Sequence, residues 1–367
     1  MEFLLAYVVS IRLCNSITQS HRKQEMLTNS GSRQIQISKP IWYQAIARYG
    51  QPSLYKAIWQ LLNTFIPYWA LWILMILMVK QGYSYWITLA LALVAAALLV
   101  RIFIFFHDCC HGSFFASRRA NTILGYISGM LTFTPYDDWR SKHATHHVTA
   151  GDLDRRGTGD VWTMTVEEYL AAPRLKRLAY RIYRNPFVMF GFGPAFMFLI
   201  ANRFSHKGAR KQERRSVILT NITLLAIIIL ASLTIGFLEY LMIQLPIILI
   251  AGVFGIWLFY VQHQFEGVYW ARHDTWDQMR AALEGSSYYK LPRILQWFAG
   301  NIGLHHIHHI RPRIPNYNLQ QCYDDISAMR AVKPLTICSS LKSLGMKLWD
   351  EREQKMVRFG SLSGWEK

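Results

Sequence analysis

Nine of the thirteen histidines in this 367-residue chain fall in three short clusters. These are His107-Asp-Cys-Cys-His111, His143-Ala-Thr-His146-His147 and His305-His306-Ile-His308-His309. Residues three and four apart share a helix face, with Cβ atoms roughly 5–6 Å apart, so such a pair of imidazoles can hold one metal or reach two neighbouring ones. Imidazole suits zinc, copper, iron and nickel. A catalytic zinc uses three protein ligands and a structural one four. His107, His111, His143, His146, His147, His305, His308 and His309 therefore exceed what one ion can use. With His263, in Tyr-Val-Gln-His-Gln-Phe-Glu, as a ninth ligand, the set implies two ions with about four ligands each.

The remaining metal-capable residues read differently. His306 is expected behind the ligands, not among them. His21, His206 and His273 read as ordinary surface residues. Cys109 and Cys110 point off the His107/His111 face and read as small packing residues. Neutral imidazoles leave a bound cation's charge unbalanced, so carboxylates are expected to accept the second ring N–H of the ligands. Asp108, Asp138, Asp152, Asp154, Asp160 and Glu266 lie in or near the clusters and are the candidates.

The elements that must position these residues are apolar. Apolar residues make up 52% of the chain and charged residues 17%, below the roughly 25% charged residues of soluble domains. Four stretches are long enough to cross a bilayer: 61–79, 85–106, 217–237 and 240–261. The second carries one charge, Arg101, near its end, and the fourth contains Pro246. The shorter apolar stretches Ile123–Pro135 and Phe187–Asn202 are expected to be re-entrant or interfacial. The fold class is thus an all-α integral membrane protein with a helical cap that carries the histidines. A leader over 1–38 is expected to be disordered, with Met26 a plausible alternative start. The main domain follows over 39–350 and a tail over 351–367.

Charge sets the orientation. The 203–215 segment holds Arg203, Lys207, Arg210, Lys211, Arg214 and Arg215, whereas the links at 80–84 and 238–239 hold one basic residue between them. Positive residues stay on the cytoplasmic side, so both termini and all three clusters are expected there, in a multi-pass cell-membrane protein. The net charge of +18 fits anionic lipid or an acidic soluble partner. Nucleic acid is not the expected partner of a chain with membrane spans. The five cysteines, Cys14, Cys109, Cys110, Cys322 and Cys338, form no C-x-x-C pair and are expected to be free thiols.

Several motifs are missing. Gly191-Phe-Gly193 lacks the third glycine of a dinucleotide loop, and there is no P-loop and no H-E-x-x-H. Redox chemistry on this chain would draw its electrons from a separate protein.

The three clusters resemble the histidine boxes of membrane fatty-acid desaturases. Arg101-Ile-Phe-Ile-Phe-Phe-His107, Arg156-Gly-Thr-Gly-Asp160-Val-Trp, Tyr183-Arg-Asn-Pro-Phe187, Glu284-Gly-Ser-Ser and Gly300-Asn-Ile-Gly-Leu-His305 are similar to the acyl-lipid desaturases of Bacillus. The likeness runs from about Trp59 to Trp349. It implies two iron ions held by the histidines and dioxygen as co-substrate. It also implies phospholipid acyl chains as substrate, delta-5 position, and electrons from a ferredoxin or flavodoxin. No H-P-G-G motif of a fused cytochrome b5 domain is present. Delta-12 desaturases share the boxes, and an acyl hydroxylase on the same scaffold or a membrane zinc hydrolase are the alternatives. An unactivated C–H bond needs an oxidant that side chains cannot supply. An apolar, aromatic tunnel would select the carbons by geometry.

Overall fold

The computed structural model describes residues 40–364. The leader over 1–38, with Cys14, His21 and Met26, lies outside the described residues. Among the described residues four helices are long and apolar enough to cross a membrane: α1 (Leu54–Lys80), α2 (Tyr85–His111), α6 (Lys211–Thr234) and α7 (Phe237–His263). Between α2 and α6 lie α3 (Arg118–Leu131), α4 (Tyr136–Thr149) and α5 (Arg174–Tyr183). After α7 come the short α8 (His305–Ile310) and α9 (Asn316–Asp325).

All four helices begin at or before the apolar stretches that announce them, and three also run past them, because hydropathy marks only the apolar part of a longer helix. α1 begins at Leu54, where the Ser53 side chain accepts from the Lys56 N–H. α2 continues past residue 106 to His111 and stops at Gly112, which adopts the left-handed conformation (φ 64°). The third stretch, expected to run to 237, ends at Thr234 instead. Gly236, at φ 111°, makes the turn that lets Phe237 open α7.

Burial singles out α2 as the central helix. In its apolar stretch 61% of residues are buried, against 22–33% in the other three. From Leu98 to Cys110 only Phe103 escapes full burial. An apolar face can meet lipid as well as protein, so α2 owes its burial to its neighbours: it packs against α1, α3 and α7. The histidines at its end are therefore carried on the most enclosed element.

The two shorter apolar stretches differ. α3 is a single 14-residue helix, about 21 Å long, too short to cross a bilayer. It buries Leu124, Gly125, Ser128 and Gly129 and exposes Ile123 and Ile127. The stretch from Val188 to Arg203 is bent by 63° from α5, as a broken span or a re-entrant loop would be.

Outside the spans, a cap packs over the helix ends. Leu304, Ile307, Ile310, Ile314, Leu319 and Cys322 form its core together with Ile46 and Tyr49. The helical class holds, with two small sheets added. β1 (Met164–Thr165) runs parallel to β4 (Leu348–Asp350), which pairs antiparallel with β5 (Lys355–Val357). β2 (Tyr288–Tyr289) runs parallel to β3 (Pro334–Leu335). Strands of two or three residues are too short to show alternation in a sequence. The boundary expected at 350 falls inside the β4–β5 hairpin. Residues beyond it, including Met356 and Val357, are buried.

Candidate metal centre

α2 ends on His107 and His111, and α7 ends on His263. α4 carries His143, His146 and His147, and α8 carries His305, His308 and His309. The fold brings all nine expected ligand residues together, in two adjacent groups. Site A consists of His107, His111, His143, His147 and His308, and site B of His146, His263, His305 and His309. Within each group the candidate ligand atoms lie within 4.8 Å of one another. The groups touch where the His147 and His309 rings stack, with centroids 4.2 Å apart.

The two H-x-x-H-H clusters are used in opposite senses. In α4 the i and i+4 residues, His143 and His147, serve site A, and His146 serves site B. In α8 the i and i+4 residues, His305 and His309, serve site B, and His308 serves site A. Adjacent helical residues point about 100° apart, so His146 and His147, or His308 and His309, diverge towards different groups. The expectation was about four ligands per ion, and the two groups hold five and four histidines.

The electrostatics fit a cation at each group. In site B, His146 Nδ1 donates to Asp160 Oδ1 (2.6 Å) and His263 Nδ1 donates to the Gly285 carbonyl (3.1 Å). A neutral ring that donates at Nδ1 presents a lone pair at Nε2. These two Nε2 atoms face each other at 3.0 Å, and His263 Nε2 also lies 3.0 Å from His305 Nε2. Lone pairs at that distance repel unless a cation lies between them. Donors about 2.0–2.1 Å from a shared ion lie roughly 3 Å apart, which is the observed spacing. In site A, His147 Nε2 lies 3.1 Å from His143 Nε2 and 3.0 Å from His308 Nε2. The Nε2 atoms of His107 and His111 are buried without a hydrogen-bond partner. Burial pushes His143, His147, His305, His308 and His309 well below the usual histidine range, and neighbouring imidazoles push them further. These rings are held neutral, the form that binds metal.

Of the six candidate carboxylates, two brace ligands. Asp160 holds His146, and Asp108 Oδ1 accepts from His107 Nδ1 (3.1 Å). Asp160 arrives through Arg156-Gly-Thr-Gly-Asp160, whose Gly157 (φ 113°) and Gly159 (φ 75°) turn the chain beneath α4. A Cβ at Gly159 would lie 3.0 Å from His146 Cβ. The other four are engaged elsewhere. Asp138 pairs with Lys142 and His206, Asp152 with Arg155 and His273, Asp154 with Arg272, and the exposed Glu266 with Lys342.

His306 is fully buried but faces away from both groups, with Nε2 3.2 Å from the Met329 carbonyl. It therefore belongs to the cap core, not behind the ligands as expected. Burial pushes it down to about 4. His206 and His273 lie outside both groups, although each meets a carboxylate. Cys109 and Cys110 pack among Phe105, Phe106 and Tyr136.

Two supporting residues escape sequence reasoning. Trp139 stacks on His143 (centroids 4.2 Å apart, planes at 24°). Its place one turn before His143 was the available signal. Asn316 donates to Asp108 Oδ2 from both its backbone N–H (2.7 Å) and its side chain (2.9 Å). It lies 208 residues from Asp108, and no local pattern links the two.

Comparison with known proteins agrees with this geometry. The family model "Fatty acid desaturase" matches residues 84–337, an interval that contains all nine histidines. A fatty acid desaturase of Bacillus subtilis (strain 168) is 49% identical over 317 residues, covering 86% of this chain and 90% of the relative. An endoplasmic-reticulum omega-3 fatty acid desaturase of Vigna radiata is 29% identical over 59% of each chain. An sn-1 oleoyl-lipid 12-desaturase of Synechocystis is 26% identical, covering 62% of this chain and 65% of the relative. The chain belongs to the fatty acid desaturase family.

Proposed function

We propose that this chain is an acyl-lipid desaturase that uses two irons, one in each histidine group, to place a cis double bond in membrane phospholipid acyl chains. The carrying observation is the convergence of nine histidines into two touching groups at the shared end of α2 and α7. In the net reaction –CH2–CH2–, dioxygen, two electrons and two protons give –CH=CH– and two waters. Bound iron would supply the redox couple that activates dioxygen, which side chains cannot.

The protein's own residues do the rest. Asp160 and the Gly285 carbonyl fix the His146 and His263 rings with Nε2 turned inward. Asp108 does so for His107. Phe259, 5.4 Å from His146, and Trp139 give the groups aromatic neighbours suited to an acyl chain. Enclosure keeps bulk water from the reacting carbons.

The electrons come from a separate acidic carrier. This reading is supported by the +18 charge and by a Synechocystis relative named as an sn-1 acyl-lipid omega-3 desaturase (ferredoxin). The histidine groups and both termini face the cytoplasm, a reading supported by the basic 203–215 segment. That segment leads into α6, whose partner α7 ends in site B. Delta-5 is the proposed position, on the likeness to the Bacillus enzymes.

Expression in a host without desaturases, together with a ferredoxin or flavodoxin, tests the reading. Mass spectrometry of the lipids should find a new cis double bond, at carbon 5. A bond at another carbon would overturn the position alone. An oxygenated product would make the chain a hydroxylase. Metal analysis should find two irons per chain, and a single zinc without iron would overturn the chemistry.

A further inference from the structure

The segment from Trp297 to Asn316 carries the third histidine cluster, and both of its ends are fastened to one stripe of α2. At the first end stands Arg101, 3% exposed and inside an apolar helix. A charged residue at such a place is expensive and signals a role. Its partners are a hydroxyl, a carbonyl and two aromatic faces. Nε donates to Thr64 Oγ1 (3.0 Å), Nη1 donates to the Trp297 carbonyl, and the guanidinium lies 4.1 Å from the centre of the Trp297 ring and 5.6 Å from that of Phe105. Next to it Gly300, at φ 52°, presses its backbone onto α2, and a Cβ there would lie 2.8 Å from Ile104 Cγ2.

At the other end Asn316 donates twice to Asp108 Oδ2. Gln60 Nε2 holds Asn316 Oδ1 at 2.9 Å. Asn301 closes the segment on itself, because its Nδ2 donates to the Asn316 carbonyl (3.1 Å) and its Oδ1 accepts from Gln296 (3.1 Å). Arg101, Ile104 and Asp108 stand at i, i+3 and i+7, one face of α2.

We propose that Asn316 and Arg101 are positioning residues that clamp the third histidine segment onto α2, and that site A depends on this clamp while site B does not. Site A must join His107 and His111 of α2 to His308 across the clamped contact. Site B takes no ligand from α2. The segment is also held near His305 by a separate bond, from Tyr289 N–H to the Gly303 carbonyl (2.7 Å). Removing the Asn316 side-chain amide leaves Asp108 Oδ2 with only the backbone donor and so loosens its hold on the His107 ring. Bracing of this kind around a metal ligand is worth about 10–100-fold in metal affinity.

The inference rests on the two-metal reading, and the test separates the two. Metal content and melting temperature are measured on the full-length protein in detergent across a chelator series. The variants are N316A, N316D, R101K and Q60A. N316A should lose one of two ions at about 10–100-fold lower chelator than the unaltered protein, with the second ion retained. N316D, which sets a second carboxylate against Asp108, should lose the same ion more readily. R101K keeps the charge but not the fork that reaches both Thr64 and Trp297, and should weaken that ion less. Should N316A fail to fold, Q60A and R101K decide, through a smaller shift confined to one ion. Loss of both ions together, or of neither, overturns the clamp. An unaltered protein that binds no metal overturns the metal reading first.

Discussion

Sites A and B are built from the same kind of ligand but held in different ways. Site A takes two histidines from the end of the central helix α2, and its rings His107 and His111 leave Nε2 without a hydrogen-bond partner. Its bracing runs through Asp108 to Asn316, across 208 residues of chain. Site B takes four histidines, and its bracing is nearer at hand. Asp160 lies 14 residues from His146, and the Gly285 carbonyl lies 22 residues from His263. The bracing of one site therefore depends on how the spans and cap dock, and that of the other on turns closer to its own ligands. Five candidate ligands in one group and four in the other would also leave unequal room for a non-protein ligand. Identical ligand chemistry thus need not make equivalent sites.

The strongest way to break this comparison is to remove a ligand from each side. H308A should cost the ion of site A first and H305A that of site B. Product yield in either should fall by more than the roughly 10–100-fold cost of losing a bracing residue. Undiminished yield from either variant would remove that histidine from the centre. Next in size come the braces. D108N should weaken one ion and D160N the other, each by about 10–100-fold in metal affinity. Chelator titration reads both, and loss of the same ion from the two variants would erase the distinction.

A third change acts on both sites at once, because α4 feeds both. A Cβ at Gly125 would lie 2.2 Å from the Tyr136 ring, where α3 supports the start of α4. G125A should lower stability by about 1–3 kcal/mol, seen as an earlier melt in detergent with both ions released together. Release of one ion alone would show that α4 is not shared. The smallest effect belongs to His273, whose side chain is 53% exposed and lies outside both groups. H273A should change stability by no more than about 0.5 kcal/mol and leave the metal content unchanged.

Much of this architecture is local in origin and so was legible in the chain. Four apolar stretches announced α1, α2, α6 and α7, because a span needs about 20 apolar residues and little else produces such a run. Their ends were less legible. Hydropathy stops where lipid contact stops, yet α2 continues to His111 and α6 begins at Lys211, among charges. The short strands β1 to β5 carried no signal, since two or three residues show no alternation and β1, β2 and β3 pair only with distant segments. Of the six carboxylates near the clusters, sequence proximity could not separate Asp160 and Asp108 from those drawn into ion pairs with Arg155, Arg272 and Lys342.

The sequence by itself determined which residues can bind metal, that they stand at helical spacing, and that apolar helices end beside them. Those are properties of residue type and period, and they survive without any knowledge of packing. Only the tertiary structure decided which histidines stand in one group. Helical neighbours such as His146 and His147 diverge by about 100°, so each cluster must split, and the direction of the split depends on what lies opposite. α4 and α8 meet so that each gives a pair to one group and a single ring to the other. His263 joins His305, and Asn316 reaches Asp108, through contacts 42 and 208 residues apart in the chain.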